Sequence, residues 1–509
     1  MSKINNILIV GGGSSGWLTA AHLSNNLPKS VKITLIESTK IESISKLGIG
    51  EGTQPSTTPF LFECGLEFKD WMLAADTIHK YGVEFIGWAK DSVFVDNDTQ
   101  EMGVLGPEVM FHNYWLATKP SVKEYFDSMP AYVLAKHNKS PKANHLSLDY
   151  TPGFIEPPWD AFHFSAKQLG EVLKDHCKDR ITYIDDKIEE VIVNDYGIKE
   201  IKTENKLNLI ADLYIDCSGF SSMLLEGVLN EPFNSFEEFL LCNNAVVIHT
   251  SYKDKYKEMH PYTKAYAMEA GWRWDIPIYS RIGNGYVYSD KFITKDEAEE
   301  ALRKEINEFE APATHIKMKT GIHERIAVKN VYAVGLSAGF VEPLEATGIT
   351  FTTVAIRNLT NSLMNNNGEY NKDAANFLTL EYKEMINELT NFIFLHYKLA
   401  PKNDTPFWKA TKSIPLPEST KYVLDKFVPN PPEMIREKGY FGMFSVGQWF
   451  SLLYGFGVYD EYNYNIDESI VKYGDWVNTM YKDRTKHALD FFPNQYDYLK
   501  SFYNEGERI

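Results

Sequence analysis

Three apolar runs along the chain each end in a cluster of small residues, and this recurring pattern predicts the architecture. "NNILIVGGGSSGWLTAAHL" reads as an apolar strand, a glycine turn and then a helix. "ADLYIDCSGFSS" (211–222) reads as a buried strand ending in a small-residue turn. "VKNVYAVGLSAGFVEPLEATGIT" (328–350) gives a strand, "VYAVG", a small-residue turn and a helix. A different period governs the stretch around residue 385. There Leu378, Tyr382, Met385, Leu389, Phe392 and His396 recur at spacings of three and four, which predicts a helix from about Ala374 to Leu399 with one buried stripe. His396 on that stripe reads as a core histidine rather than a catalyst, and "APKNDTPFW" ends the helix. "FHNYWLATKPSVKEYFDSM" and the proline-rich "YTPGFIEPPWDAFHF" are expected to be irregular or lid-like, and the C-terminal third mainly helical and loop-rich.

Two further strands hold unusual residues. In "HKYGVEFIGW" (79–88), Val83 and Phe85 point one way, while Tyr81 and Glu84 break strict alternation. Lys80 stands at the mouth of this stretch, where the simplest reading is a solvated cation at a strand end. "GWRWDIPI" (271–278) reads as a strand with interleaved tryptophans.

The first glycine turn carries a nucleotide signature. Gly11, Gly13 and Gly16 satisfy GxGxxG between a strand and a helix, so the backbone can approach a pyrophosphate at the helix N-terminus. A second strand, "KITLIE", ends at Glu37, about 20 residues on, where a ribose-binding carboxylate belongs. Three strand-to-turn segments spread from residue 6 to residue 350 suit an extended FAD better than a compact NAD domain.

Composition narrows the partners. Over 509 residues, 44% are hydrophobic and 24% charged, which is ordinary for a globular protein of several lobes. A formal charge of −17 argues against nucleic acid as a partner. Aromatics reach 14%, which suits planar ligands as well as core filling. The four cysteines form no CxxC and no metal-ligand spacing, so neither a metal site nor a disulfide framework is expected. No apolar run is long enough to span a membrane, and the N-terminus lacks a signal-peptide pattern. The expected location is the cytoplasm.

At these residues the sequence resembles the flavin-dependent halogenases of the tryptophan halogenase type. The anchors are "GGGSSGWLTA", "GIGEGTQPS" (48–56), "HKYGVEFIGW", "GWRWDIPI", "FVEPLEATGI" (340–349), "NFIFLHYKLAPKNDTPFW" and "WFSLLYGFGVYDEYNY". "GWRWDIPI" fits the family's WxWxIP signature at Trp272, Trp274, Ile276 and Pro277. The resemblance implies an enzyme in which reduced FAD and oxygen form a hydroperoxide that oxidises chloride or bromide to hypohalous acid. That oxidant then meets a small aromatic substrate held away from the flavin.

By the same resemblance Lys80 and Glu345 are the catalytic pair. Lys80 either hydrogen-bonds hypohalous acid or becomes a haloamine, and Glu345 orients the oxidant or accepts the ring proton. The cofactor contacts it implies are Gly11, Gly13, Ser14, Ser15, Gly16, Trp17, Glu37, Gly50, Gly335, Gly348 and Ile349. Thr347 and Gly348 would bind halide at a helix start. Trp272, Trp274, Ile276, Pro277, Phe441 and Trp449 would form the chamber wall and substrate pocket. Ala346 stands where several relatives carry serine. A separate flavin reductase is the implied partner, and the oligomeric state is unspecified.

The implied fold is α/β: a Rossmann-like FAD-binding core, similar to aromatic hydroxylases, with a mostly helical C-terminal substrate region. The expected division is 1–365, with inserted lid segments at about 90–165, and 366–509. An NADPH-binding aromatic hydroxylase would carry an Asp-Gly turn, where this chain has "DCSGFSS" with Ser218 in that place and Asp216 two residues earlier. A non-catalytic flavin-binding relative would not need Lys80, Glu345 and the tryptophans. The stretch 439–457 begins Tyr440–Phe441 and has no acidic residue to hold an ammonium, so indoles other than free tryptophan are the expected substrates.

Overall fold

Asn6–Val10 lies buried between Leu213–Asp216 and Lys32–Glu37, paired in parallel with each. These strands belong to a six-stranded sheet in the order Ala327–Val328, Val331–Ala333, Leu213–Asp216, Asn6–Val10, Lys32–Glu37, Thr182–Asp185. Every pairing is parallel except the edge hairpin of Ala327–Val328 with Val331–Ala333. A parallel sheet is covered on both faces, which is why "NILIV" and "LYID" are apolar almost without interruption. The computed structural model describes residues 3–40, 50–96, 108–141, 161–429 and 443–506.

Helix Ser14–Asn26 packs against helices Ala166–Cys177 and Gly348–Asn365. Because the strands run parallel, the three turns predicted from sequence leave the same edge of the sheet. In open α/β sheets that carboxyl edge is where nucleotide ligands bind. The α/β expectation holds.

A second sheet has seven strands: Ala313–Lys317 borders Asn244–Thr250 at one edge, and from there the run of six is Asn244–Thr250, Ile282–Tyr288, Gly271–Pro277, Thr263–Met268, Gly82–Ile86, Val93–Asp96. This run is antiparallel except where Thr263–Met268 runs alongside Gly82–Ile86. Strand alternation sends Trp272 and Trp274 to one face and Arg273 and Asp275 to the other. On the charged face Glu84, Lys264, Asp275 and Asn284 stand opposite one another across four strands. Asp275 bonds His260 at 3.1 Å, and the Arg273 guanidinium lies 3.7 Å over the Tyr266 ring.

The division into compact units differs from the sequential one expected at residue 365. One unit comprises residues 1–77, 164–243 and 316–386; the other comprises 78–163, 244–315 and 387–509. Pairing between distant strands produces this interleaving, and it leaves no composition shift along the chain. Helix Lys372–Leu399 starts two residues before its expected beginning, and its stripe is buried except for the half-buried Met385.

The expectation of an irregular first segment is corrected. Residues 111–129 are largely helical, in Glu108–Thr118 and Val122–Asp127. The latter helix is fixed by a capping box in which Ser121 and Glu124 satisfy each other's backbone N–H groups. Residues 142–160, which include most of the proline-rich stretch, lie outside the described residues. C-terminal helices Pro406–Ser413, Glu418–Phe427, Val446–Gly455, Glu468–Phe491 and Gln495–Gly506 agree with the expected helical region. Among the described residues no helix is long and apolar enough to cross a membrane.

Candidate active site

The glycine turn of the first unit is built for close backbone approach. Gly11 has φ +114°, and a Cβ there would come within 2.3 Å of the Cys217 carbonyl oxygen. A Cβ on Gly16 would meet the Gly11 carbonyl at 1.9 Å, and one on Gly12 would meet the Glu37 carboxylate at 2.1 Å. Gly335, at φ +68°, would place a Cβ 2.1 Å from the Ser15 hydroxyl. The three segments therefore converge: the GGGSSG turn touches Cys217 of the second strand end and Gly335 of the third. Gly13 is the N-cap of helix Ser14–Asn26, which begins with Ser14 and Ser15, and its side-chain cap is absent. The helix N-terminus thus keeps N–H groups for an anion, and the donor set fits a dinucleotide pyrophosphate.

Glu37 sits at the end of its strand and is anchored rather than free. Tyr183 donates its hydroxyl to Glu37 Oε1 at 2.9 Å, and Lys174 Nζ stands 3.8 Å from the same oxygen. The Lys174 ammonium also lies 4.3 Å over the Tyr183 ring and 5.5 Å over Trp17. Burial and the Glu37 carboxylate both raise the Tyr183 phenol, so it remains a protonated donor. Sequence reasoning found Glu37 but missed Tyr183, which the pairing of two parallel strands brings to it, and Lys174, which the preceding helix Ala166–Cys177 brings to it.

The segment "PLEATGI" forms a strained turn. Ala346 has φ +56°, a left-handed conformation that costs an alanine about 1–2 kcal/mol. Thr347 returns to the right-handed region as N-cap of the 18-residue helix Gly348–Asn365. Such a reversal turns successive N–H groups to one side, a geometry that suits a small anion. The buried Thr347 hydroxyl has no hydrogen-bond partner, and a Cβ on Gly348 would meet nothing within 4 Å. Glu345 is buried, and its carbonyl accepts from the Gln54 side chain at 2.8 Å. Ile349 is buried in the first helical turn, and Gly50 opens the strand Gly50–Gly52.

In the second unit, Lys80 ends the strand Ile78–Lys80 and is only 4% exposed. The solvated-cation reading is therefore wrong. Two strands, Ile78–Lys80 and Gly82–Ile86, replace the single one expected. Trp272 and Trp274 are buried with ring centroids 6.1 Å apart. Trp274 stands between Ala265 and Gly285 on the neighbouring strands, and a Cβ on Gly285 would fall 2.0 Å from its ring. Neither indole N–H has a hydrogen-bond partner. Ile276 is half-buried and Pro277 buried.

Trp449 lies in helix Val446–Gly455, edge-on to Phe392 at 4.8 Å. The start of that helix is held by Glu388, whose carboxylate accepts from the backbone N–H of Met443 and Phe444 at 3.0–3.1 Å. Phe441 lies outside the described residues. His396 is a core histidine as expected, bonded through Nδ1 to the Phe392 carbonyl at 2.8 Å. Among the described residues no group of His, Cys, Asp or Glu could hold a metal ion.

A family model described as tryptophan halogenase matches residues 6–469. The chain belongs to the tryptophan halogenase family. It is 30% identical over 489 residues to the tryptophan 6-halogenase of Streptomyces albogriseolus, covering 90% of each chain. With the tryptophan 7-halogenase of Lentzea aerocolonigenes it shares 28% identity over 98% of each. The crystal structure of the tryptophan 6-halogenase of Streptomyces toxytricini superposes with a TM-score of 0.87, at 28% identity, over 98% of this chain and 100% of that one. The protein is thus a flavin-dependent halogenase, and the hydroxylase and non-catalytic readings fall away.

These comparisons also correct the substrate expectation. The 6-halogenase and the 7-halogenase named above, which match this tryptophan halogenase family member over 90% and 98% of its length, are both named for tryptophan itself. The expectation rested on the missing acidic residue in 439–457. Residues 439–442 lie outside the described residues, and Glu388, distant in sequence, reaches the stretch at Met443 and Phe444. A lack of charge within a segment does not determine the charge beside it.

Proposed function

We propose that this halogenase installs chlorine or bromine on the indole ring of tryptophan, with reduced FAD delivered by a separate flavin reductase. Bound reduced FAD supplies, with oxygen, the oxidising equivalent that turns halide into hypohalous acid. In this reading the first unit holds the cofactor through the glycine turn, Glu37 and Gly335. The N–H groups of Thr347 and Gly348 hold the halide. The second unit carries Lys80, the tryptophan wall and, in helix Val446–Gly455, Trp449 on the substrate side.

The burial of Lys80 is the observation that carries the reading. Lysines are almost never fully buried unless paired, because desolvating an ammonium is costly, so a buried lysine here is held in place by its surroundings. An ammonium in that position can hold hypohalous acid by a hydrogen bond, and its amine can accept the halogen as a haloamine. After the halogen adds to the ring, Glu345 accepts the displaced proton.

Product analysis with purified reductase, FAD, NADH and tryptophan tests the proposal, with chloride and bromide supplied separately. Monohalogenated tryptophan is expected, and none without the reductase. Turnover of indole with no turnover of tryptophan would refute the substrate assignment. Lys80→Ala should drop product below about a hundredth of wild type, within the range proton-handling groups supply. Oxygen consumption by the reduced flavin should persist. Retention of product would refute the role of Lys80.

A further inference from the structure

The strand that carries Lys80 pairs antiparallel with Ala161–Ser165, matching Ile78 to His163 and Lys80 to Ala161. Residues directly opposite share a face, and diagonal neighbours are about 7–8 Å apart. Lys80 and His163 are therefore diagonal neighbours on one face, while His79 and Phe162 meet on the other with centroids 5.1 Å apart. His163 is fully buried. Its Nδ1 lies 3.0 Å from the Pro277 carbonyl and its Nε2 lies 2.8 Å from the Thr263 hydroxyl. A carbonyl only accepts, so Nδ1 carries the proton and Thr263 donates to Nε2. Burial holds the imidazole well below its ordinary pKa, and the charge of Lys80 pushes the same way. The ring is neutral and both its nitrogens are engaged, which suits it to holding structure rather than moving protons.

We infer that His163 is a positioning residue for Lys80, tying the strand pair that carries the lysine to the end of the tryptophan strand at Pro277. The inference rests on the proposed role of Lys80.

The test measures halogenated product per oxygen consumed, with leaked hypohalous acid trapped by monochlorodimedone, in the holoenzyme with its reductase. His163→Phe should lower this coupling by about 10- to 100-fold, the cost of a misplaced reacting group. Oxygen consumption should stay within about twofold and trapped oxidant should rise, as uncoupling without loss of the flavin step requires. His163→Asn, which keeps a donor for the Pro277 carbonyl, should recover part of the coupling. Unchanged coupling in His163→Phe would overturn the inference, as would a parallel fall in oxygen consumption and product. Should His163→Phe not fold, Thr263→Val carries the test, and unchanged coupling there overturns it. Lys80→Ala measured alongside separates the two ideas. If it keeps coupling, the proposed function fails; if it alone uncouples, only the role of His163 fails.

Discussion

Replacing Gly285 with alanine gives an effect whose sign is set by one contact. In a strand interior, glycine is disfavoured relative to alanine by roughly 0.5–1 kcal/mol, so an unobstructed Gly285→Ala would stabilise the protein. Gly285 has an ordinary strand conformation, but its added Cβ would fall 2.0, 2.3 and 2.4 Å from three atoms of the Trp274 ring. The ring is buried and cannot swing into solvent. Overpacking of this kind costs about 1–3 kcal/mol, which outweighs the backbone gain. The expected result is a net loss of about 1–2 kcal/mol, or a fall of roughly 1–2 °C in Tm, since an unfolding entropy of about 2.1 cal/mol/K per residue makes 1 kcal/mol worth about 1 °C in a chain of 509 residues. The assay is a double-mutant cycle by thermal melting at fixed FAD. In Trp274→Phe the smaller ring makes room, so Gly285→Ala should become neutral or stabilising, with a coupling energy of about 1–3 kcal/mol. Halogenated product per oxygen should fall in Gly285→Ala, since a displaced indole alters the wall. Unchanged or increased stability of Gly285→Ala in the wild-type background, with additive behaviour in the cycle, would refute the packing argument.

Tyr183→Phe removes the hydrogen bond that anchors Glu37 and should weaken FAD binding by about 10-fold, as the loss of a bond to a charged group implies. FMN binding should not change; equal weakening of both flavins, read by fluorescence titration, would place Glu37 elsewhere. Ala346→Gly relieves the left-handed alanine and should raise stability by up to about 1 kcal/mol, visible as a higher Tm. Burial pushes His112 down to about 4, so the unfolded state binds its proton first as pH falls. Stability is then retained above pH 6.5 and lost progressively toward pH 4, by about 1.4 kcal/mol per pH unit for that group. His112→Leu should flatten this part of the acid-unfolding curve, and an unchanged slope would rule His112 out as its source.

The parallel sheet was legible because its strands are apolar throughout and end in glycine-rich turns, and both signals are local. Glu37 was legible through its distance from the turn. The burial of Lys80 was not, since it depends on a partner strand beginning at Ala161, far along the chain. His163 was missed for the same reason: its bonds reach Thr263 and Pro277, about a hundred residues away. The helix at Val122–Asp127 could have been read. "SVKE" at 121–124 is a capping-box pattern, and an aromatic-rich stretch masked it. The left-handed turn at Ala346 carried no signal, because alanine is an unexpected residue there.

The interleaving of the two units has a consequence for how the protein is made. Asn6 is bonded to Asp212, 206 residues later, so the first strand of the parallel sheet emerges from the ribosome long before one of its two neighbours, Leu213–Asp216, exists. Each unit recruits its last segment only after both have been started: the first waits for residues 316–386, the second for 387–509. Neither can be completed by a nascent chain that stops at residue 300, and neither can be cut out as a contiguous fragment. Such non-local assembly is slow and leaves apolar strands such as "NILIV" uncovered during synthesis. Yield on expression should therefore respond to chaperone supply and lower temperature more than to changes on the finished surface.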